Sequence, residues 1–415
     1  MKEEWDMMRE ELKKIWKPGR ILLLLLLGYL FYMLFLEFYI NYYFTDPVSE
    51  GMLIVSEELI DRYGTSLSEE EMAEVKESWP SLLEEADMCV KGFELAKKYG
   101  LDSYEEYREF YTNTVENVGE TSADLDEAYA DAMRIENYLK SEETGNIFGR
   151  IRAMGILLDS YESAQTFAAD PSLLAGTFMY VDCTKKELSH IADTLFGEEA
   201  LWQNLLPWVA PESFMLYMTF LCVWMCLSVC LLLSPLLVTD RMSRMWSLQY
   251  SSKRGRGVYR TQFGAAMLSA FLLATVNLSL FLGIFQTTGV GIFWESRMYS
   301  FIEMLAIRVN WTYGTWCVVL VVLSYLVTLG VAALAFVLSR SCANYIVMLL
   351  KMIPLFLAAA IFCLFLFRFA FCYNNFLYSG VVPVPFVEVW STVLVLLVGM
   401  MCFGLSWRRL RVADC

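Results

Sequence analysis

The chain alternates between long apolar runs and polar segments. Five runs contain no charged residue, and these are 21–36, 213–239, 261–294, 309–339 and 389–407. A sixth run, 341–387, is interrupted only by Lys351, Arg368 and a turn that contains Pro383 and Pro385. A helix needs about 20 apolar residues to cross a bilayer, so the pattern predicts six transmembrane helices.

The segment between the first two apolar runs has a different character. Residues 45–211 contain 35 acidic and 12 basic residues. Their apolar positions recur at helical spacing, and two pairs, Ser68 with Glu71 and Thr184 with Glu187, match the capping-box pattern at a helix start. The whole chain is nevertheless 57% hydrophobic with a mean hydropathy of +0.44, because the apolar runs outweigh this segment. We therefore expect an all-α polytopic membrane protein with one large acidic helical domain.

Basic residues indicate the orientation in the membrane. Residues 1–20 contain six Lys and Arg, residues 239–262 contain six more, and the chain ends in the basic sequence "WRRLR" before its last few residues. Cytoplasmic loops are enriched in Lys and Arg, so both termini are predicted to be cytoplasmic and the acidic domain extracytoplasmic, in a multi-pass protein of the cell membrane. The predicted division is an amphipathic interfacial helix (1–20), transmembrane helix 1 (21–44), the acidic domain (45–211), transmembrane helix 2 (212–238), a basic cytoplasmic loop (239–262), transmembrane helices 3 to 6 (263–407) and a cytoplasmic tail (408–415).

The loop "TDRMSRMWSLQYSSKRGRGVYRTQ", residues 239–262, carries six bases and the single acid Asp240 in a chain whose net charge is -15. Two interpretations are open. Its charge can serve only as a topology signal, or the loop can also be a docking surface for a cytoplasmic partner.

Several classes of activity have no support in the sequence. The chain lacks the phosphate-binding G-x-x-x-x-G-K-[ST] loop and the H-E-x-x-H, G-x-S-x-G and C-x-x-C motifs. Its only histidine, His190, lies in the acidic domain. We therefore expect no ATPase or other catalytic activity in this chain, no cofactor, no metal and no nucleic-acid partner. A polytopic protein without its own catalysis is typically a transporter, channel, receptor or assembly factor.

Cysteines are predicted to be mainly structural. Cys89 and Cys183 fall in the acidic domain, where an oxidising environment would permit a disulfide, but the sequence leaves their pairing open. Cys222, Cys226 and Cys230 recur every four residues along the second span. Because no His or carboxylate accompanies them in the membrane, the pattern favours small packing residues over metal ligands.

Polar residues near the spans have alternative roles. Glu37 and Arg368 can pair near the outer leaflet or extend separately to the interface, and separate extension is favoured. Asn277 in the third span is a candidate for a helix–helix hydrogen bond. The partly amphipathic run 293–311 can lie on the outer leaflet or pack against the acidic domain.

Taken together, a charged N-terminal helix ("KEEWDMMREELKKIWK"), a large external domain after span one and a basic loop between spans two and three resemble the type-2, exporter-like ABC transporter permeases. The loop has a similar order of parts: Asp240 at the end of the span, a stretch from Arg241 to Tyr250, the turn "SSKRGR", and "YRTQF" entering span three. It departs from the family pattern at Asp240 and Gln262, where Glu and Lys are common.

The resemblance implies a subunit without catalysis of its own, which works with a separate ABC ATP-binding subunit and a second permease chain, identical or similar. The family loop contains a coupling helix that docks on the ATPase. By resemblance, the docking residues here are Asp240, Arg241, Arg244, Trp246, Gln249, Lys253, Arg254 and Arg256. The substrate expected from the apolar spans is an amphiphile, such as a peptide or a lipid.

A second function remains open from the sequence alone. The acidic domain can bind an extracellular partner in a membrane sensor or assembly factor that transports nothing. The small amount of predicted cytoplasmic chain favours the permease, because signalling would normally need more than a short loop and tail.

Overall fold

The computed structural model describes residues 2–116, 123–177, 180, 183–197, 201–243, 245, 255–302 and 306–412. Within these ranges the regular structure is helical, as predicted, and strand pairing is limited to isolated bridges. The α-helices are α1 (Lys2–Ile15), α2 (Pro18–Phe31), α3 (Pro47–Tyr63), α4 (Glu69–Gly92), α5 (Glu94–Lys98), α6 (Tyr104–Tyr111), α7 (Ala123–Leu139), α8 (Ile147–Ala169), α9 (Lys185–Phe196), α10 (Val209–Leu233), α11 (Pro235–Met242), α12 (Gly255–Phe285), α13 (Tyr313–Arg340), α14 (Tyr345–Phe367) and α15 (Val387–Val412).

Six helical segments of the described chain are long and apolar enough to cross a membrane, which confirms the predicted number of spans. They are Pro18–Tyr42, Val209–Met242, Gly257–Thr288, Tyr313–Arg340, Tyr345–Phe367 and Val387–Leu410. The first consists of α2 continued by two π-helical turns, and the second consists of α10 and α11. The protein therefore has the architecture of a multi-pass membrane protein.

The helices extend further into the predicted basic loop than the apolar runs suggest. The second span continues through α11 to Met242, and α12 begins at Gly255, within the loop predicted for 239–262. Proline explains two other boundaries: Pro18 begins α2 and Pro235 begins α11, and proline is well tolerated in the first turn of a helix because it lacks an N–H donor. The short helix α11 therefore continues α10 into the polar segment.

Helix α10 lies at the centre of the bundle, with most of its side chains buried. The Tyr217 hydroxyl donates to the Phe281 carbonyl oxygen at 2.7 Å, and Trp224 Nε1 donates to Asn277 Oδ1 at 2.9 Å. The second bond confirms the helix–helix hydrogen bond predicted for Asn277. Because buried polar groups need specific partners, both bonds fix the register of α10 against α12.

Glycines bring α13 and α15 into close contact. A Cβ atom added at Gly399 would lie 2.8 Å from Ala333 Cβ and 2.9 Å from the carbonyl oxygen of Gly330. A Cβ atom at Gly330 would in turn lie 2.8 Å from Val395 Cγ1. Small residues permit such approaches between membrane helices, so this crossing depends on Gly330 and Gly399.

Substituting Gly399 by alanine should destabilise the protein by about 1–3 kcal/mol, because the added methyl group overpacks the crossing. The measurement is the thermal unfolding midpoint of the purified chain in detergent. Gly404→Ala, on the same helix, is the matched control, since nothing lies within 4 Å of a Cβ atom there. It should leave the midpoint unchanged or raise it, because alanine favours helix more than glycine does. Equal midpoints for both variants would contradict the packing argument.

The acidic domain is formed by α3 to α9, and its buried apolar residues belong to one core that continues into the membrane helices. Helices α3 and α8 cross where a Cβ atom at Gly51 would lie 2.1 Å from the carbonyl carbon of Gly149, so backbone packs against backbone there. Both predicted capping boxes are present, at the starts of α4 and α9. Cys89 has a free thiol, so it is not joined to Cys183.

The acidic domain is attached to the loop that connects α12 and α13. Asn204 Nδ2 donates to the carbonyl oxygens of Arg297 at 2.7 Å and Tyr299 at 3.0 Å. The Tyr161 ring packs edge-on against Phe301, with 5.3 Å between centroids. Of the two arrangements predicted for 293–311, the described residues show packing against the domain. Met304 and Leu305 lie outside the described residues.

Candidate functional site

Clusters of polar and charged side chains lie at both ends of the helical bundle. The basic end is the end where α1, α11, the start of α12 and the last turns of α15 lie together. The domain end is the opposite one, where the acidic domain and the turns between helices meet.

Three of the predicted docking residues, Asp240, Arg241 and Arg256, lie in the described part of the basic end. Asp240 lies on α11 and is 9% exposed, while Arg241 is exposed and its Nη1 donates to the carbonyl oxygen of Cys342 at 3.4 Å. Arg256 falls within α12. The remaining predicted docking residues, Arg244, Trp246, Gln249, Lys253 and Arg254, lie outside the described residues.

A buried polar network connects Asp240 to the N-terminal helix. Gln262 Nε2 donates to Asp240 Oδ2 at 2.8 Å and to Glu11 Oε2 at 3.3 Å. Lys14 Nζ lies 2.7 Å from Glu11 Oε1 and 3.9 Å from Asp240 Oδ1. The amide and the ammonium thus stand between two carboxylates, which compensates negative charges that would otherwise repel each other in a poorly hydrated position.

Helix α1 is fixed to the bundle by further contacts. Trp16 Nε1 donates to Ser269 Oγ on α12 at 3.0 Å, and Ile15 is fully buried. Arg20 Nη1 donates to the carbonyl oxygens of Lys14 at 3.1 Å and Ile15 at 3.4 Å, which satisfies acceptors left open at the end of α1. Helix α1 is therefore held directly against α12 beside Asp240.

Arginine and aromatic side chains line the rest of the basic end. The Arg340 guanidinium lies over the Tyr259 ring at 4.8 Å, and the hydroxyls of Tyr259 and Ser406 share a hydrogen bond of 3.1 Å. Arg260 lies over the Trp407 ring at 5.1 Å. Stacking on aromatic faces stabilises guanidinium groups, so the positive charge is spread across α12, α13 and α15.

Glu37 and Arg368, which the sequence left open as an intramembrane pair, have separate surroundings, as the favoured interpretation expects. Asn41 Nδ2 donates to Glu37 Oε1 at 3.2 Å. Arg368 is exposed, and its guanidinium lies 5.8 Å from the Phe369 ring centroid. In the part of the chain that the structure describes, these two side chains form no ion pair with each other.

The domain end contains a buried ion pair that sequence reasoning missed. Arg308 and Glu388 form a salt bridge, with side chains 7% and 0% exposed. Glu388 Oε1 also accepts from the backbone N–H of Phe371 at 2.9 Å. One signal was present in the sequence: Glu388 is the only acidic residue between Glu303 and Asp414.

The ion pair continues into the acidic domain. The Arg308 guanidinium lies over the Tyr378 ring at 4.1 Å, and the Tyr378 hydroxyl donates to Glu187 Oε1 at 2.8 Å. Glu187 is also the acidic member of the capping box with Thr184. The chain of contacts from Glu388 to Glu187 therefore joins α15, two connecting segments and α9.

The pKa values of Tyr378 and Glu187 are shifted in the directions that these contacts predict. Burial, with the hydrogen bond to Glu187, raises the pKa of Tyr378 to about 12. For Glu187, burial acts to raise the pKa, but hydrogen bonds from Thr184 and Tyr378 and the charge of Arg308 lower it below its ordinary value. Above the ordinary carboxyl pKa the ionised form therefore stabilises this contact, and that contribution is lost as the pH falls through the lowered pKa.

Comparison with known protein families, characterised proteins and solved structures gives no match for this chain.

Proposed function

We propose that this chain is the membrane-spanning subunit of an ABC-type exporter. In this proposal the basic end faces the cytoplasm with both termini, and the acidic domain lies outside the cell membrane. ATP is hydrolysed by a separate ATP-binding subunit, and a second permease chain, identical or similar, completes the path. The excess of Lys and Arg at one end supports this orientation.

The observation that carries the proposal is the buried network at Asp240. A docking element can transmit a rigid-body motion only if it is firmly attached to the membrane helices. Asp240 begins the basic segment, and through Gln262 and Glu11 it is bonded to α12 and α1. Movement of a docked ATPase would therefore act on α11, α12 and α1 together, and through α11 on the central helix α10.

The substrate class follows from the spans. The described spanning helices bury few charged side chains away from their ends, which suits an amphiphile such as a peptide or a lipid better than a small ion.

One observation favours the alternative of a sensor or assembly factor. The acidic domain has a cleft of about 630 Å³ between the end of α8 and α9, lined by residues that include Pro171, Lys185, Asp193 and Phe196. A cleft of this size with both apolar and charged walls can hold a small ligand or a peptide side chain. In a permease the same cleft would be an accessory site.

Substituting Arg241, Arg244 and Trp246 together by alanine should remove a co-purifying ATP-binding subunit. The physical reason is loss of the charged and aromatic anchors that the proposal places in the ATPase groove. The measurement is affinity purification of the tagged chain in mild detergent from native expression, followed by mass spectrometry. The expected loss of the ATPase is at least tenfold, with the six-span chain still monodisperse.

Arg408→Ala is the control, because Arg408 is an exposed arginine at the same end but outside the loop. It should retain the ATPase. Wild-type preparations that contain no ATP-binding subunit, or that are dominated by an extracellular partner, would refute the permease and support the alternative. Equal loss in both variants would mean that the loop contributes charge only.

A further inference from the structure

Three cysteines from two helices meet inside the bundle. Cys222 and Cys226 lie one turn apart on α10, and Cys363 lies on α14. The Cys363 thiol donates to the Cys222 sulfur at 3.5 Å, and all three Sγ atoms lie within 4.8 Å of one another. All three residues are 0% exposed. The four-residue spacing on α10 was visible in the sequence, but the contribution of Cys363 was not.

We infer that Cys222, Cys226 and Cys363 form a binding site for a soft monovalent metal ion, Cu(I) or its analogue Ag(I). This site is independent of the proposed function, since it requires neither an ATPase nor transport.

The spacing of the sulfurs fits one shared ion. With metal–sulfur bonds of about 2.3 Å, three sulfurs arranged in a plane around one ion lie about 4 Å apart. The observed separations, from 3.5 Å to no more than 4.8 Å, bracket that value. Small side-chain rotations would therefore suffice to form the site, without movement of α10 against α14.

Donor type and number select the ion. Soft thiol ligands favour Cu(I), whereas Mg²⁺ and Ca²⁺ prefer oxygen. Structural Zn²⁺ almost always takes four ligands, and the cluster supplies three. Cysteine binds metal ions as the thiolate. At each ligating sulfur the S–H bond therefore breaks, the proton leaves to solvent, and the freed electron pair forms the metal–sulfur bond.

A second observation points to the same position. Thr328 on α13 is fully buried, and its hydroxyl lies beside the Cys226 thiol. In the described part of the chain its contact with this thiol falls short of a well-formed hydrogen bond. A metal-bound thiolate at Cys226 would be a stronger acceptor than the thiol and would strengthen this contact.

The test is a Cu(I) titration of the purified full chain in detergent, under argon with ascorbate, against the chromogenic chelator bicinchoninate. To remove thiols outside the buried part of the protein, Cys89, Cys183, Cys402 and Cys415 are first replaced by alanine, and the four other buried cysteines are kept. This background should bind one Cu(I) per chain. Adding Cys363→Ala should weaken binding at least tenfold, because it removes a ligand.

Cys230→Ala is the matched control, because Cys230 is a buried cysteine of the same stripe on α10 that does not belong to the group of three. It should bind Cu(I) as the background does. Full binding in Cys363→Ala, or equal loss in Cys230→Ala, would overturn the site and leave these thiols as packing residues.

If Cys363→Ala fails to fold, the copper absorption-edge spectrum of the background decides the question. Three sulfur neighbours at about 2.3 Å would support the site. Nitrogen or oxygen neighbours would overturn it.

Discussion

Replacing Arg308 by methionine is expected to destabilise the protein by about 3–5 kcal/mol, because breaking a buried ion pair leaves an uncompensated charge. The carboxylate of Glu388 is fully buried, and in the described residues its Oε2 atom has no hydrogen-bond partner. Without Arg308, it would keep only the backbone N–H of Phe371. The measurement is the unfolding midpoint of the purified chain in detergent.

Arg368→Met is the control for this substitution. Arg368 belongs to the same end of the bundle, but it is exposed, and its loss should cost less than about 0.5 kcal/mol, as is usual for surface changes. The double variant Arg308→Met with Glu388→Met should recover much of the lost stability, since replacing both members of a buried pair by apolar residues is often neutral. If Arg308→Met were no more destabilising than Arg368→Met, the ion pair would not stabilise the domain end.

Local features of this fold could be predicted from sequence because their causes are local. Apolar runs identified the spans, since length and composition alone decide whether a helix can cross a bilayer. The capping boxes at Ser68 and Thr184 were recognisable because both partners lie three residues apart.

Long-range pairs could not be predicted in the same way. Arg308 and Glu388 are 80 residues apart, and Glu11 and Gln262 are 251 residues apart. No periodic pattern in the sequence links residues so far apart. The partners can therefore be identified only from the packed structure. Glu37 and Arg368 illustrate the limit: the sequence left a pair and separate extension open and favoured the second, and the structure gives the two side chains separate surroundings.

The position of the candidate site was visible in the sequence, and its docking role stays a prediction. The basic segment and Asp240 were recognised from charge, and Asp240 was assigned to docking. The structure shows its carboxylate bonded to Gln262 and mostly buried, so its direct contribution is to position α11 against α12. Gln262 was noted in the sequence only as a departure from the family pattern, although it is the donor that joins both carboxylates.

The effect of a substitution at Gln262 on stability should depend on the charge of the new side chain. Gln262→Leu removes the hydrogen bonds to Asp240 and Glu11, and each lost bond to a charged group costs about 1.5–3 kcal/mol. Gln262→Glu should be at least as damaging, because it places a third carboxylate in the cluster with only Lys14 to balance it. Gln262→Lys should remain close to wild type, because its ammonium can donate to both carboxylates. The unfolding midpoint and hydrogen exchange of α1 measure the effect.

The exchange pattern distinguishes a local attachment from general destabilisation. If the network holds α1 on the bundle, amides of α1 should lose protection in Gln262→Leu while those of α10 keep it, since local openings need not involve the core. Gln286→Glu is the control for Gln262→Glu, because it adds the same negative charge at an exposed position just beyond the other end of α12. It should leave the amides of α1 protected. Equal behaviour of Gln262→Lys and Gln262→Glu would show that the carboxylates do not depend on a donor at this position, and α1 would then be held by its apolar face alone.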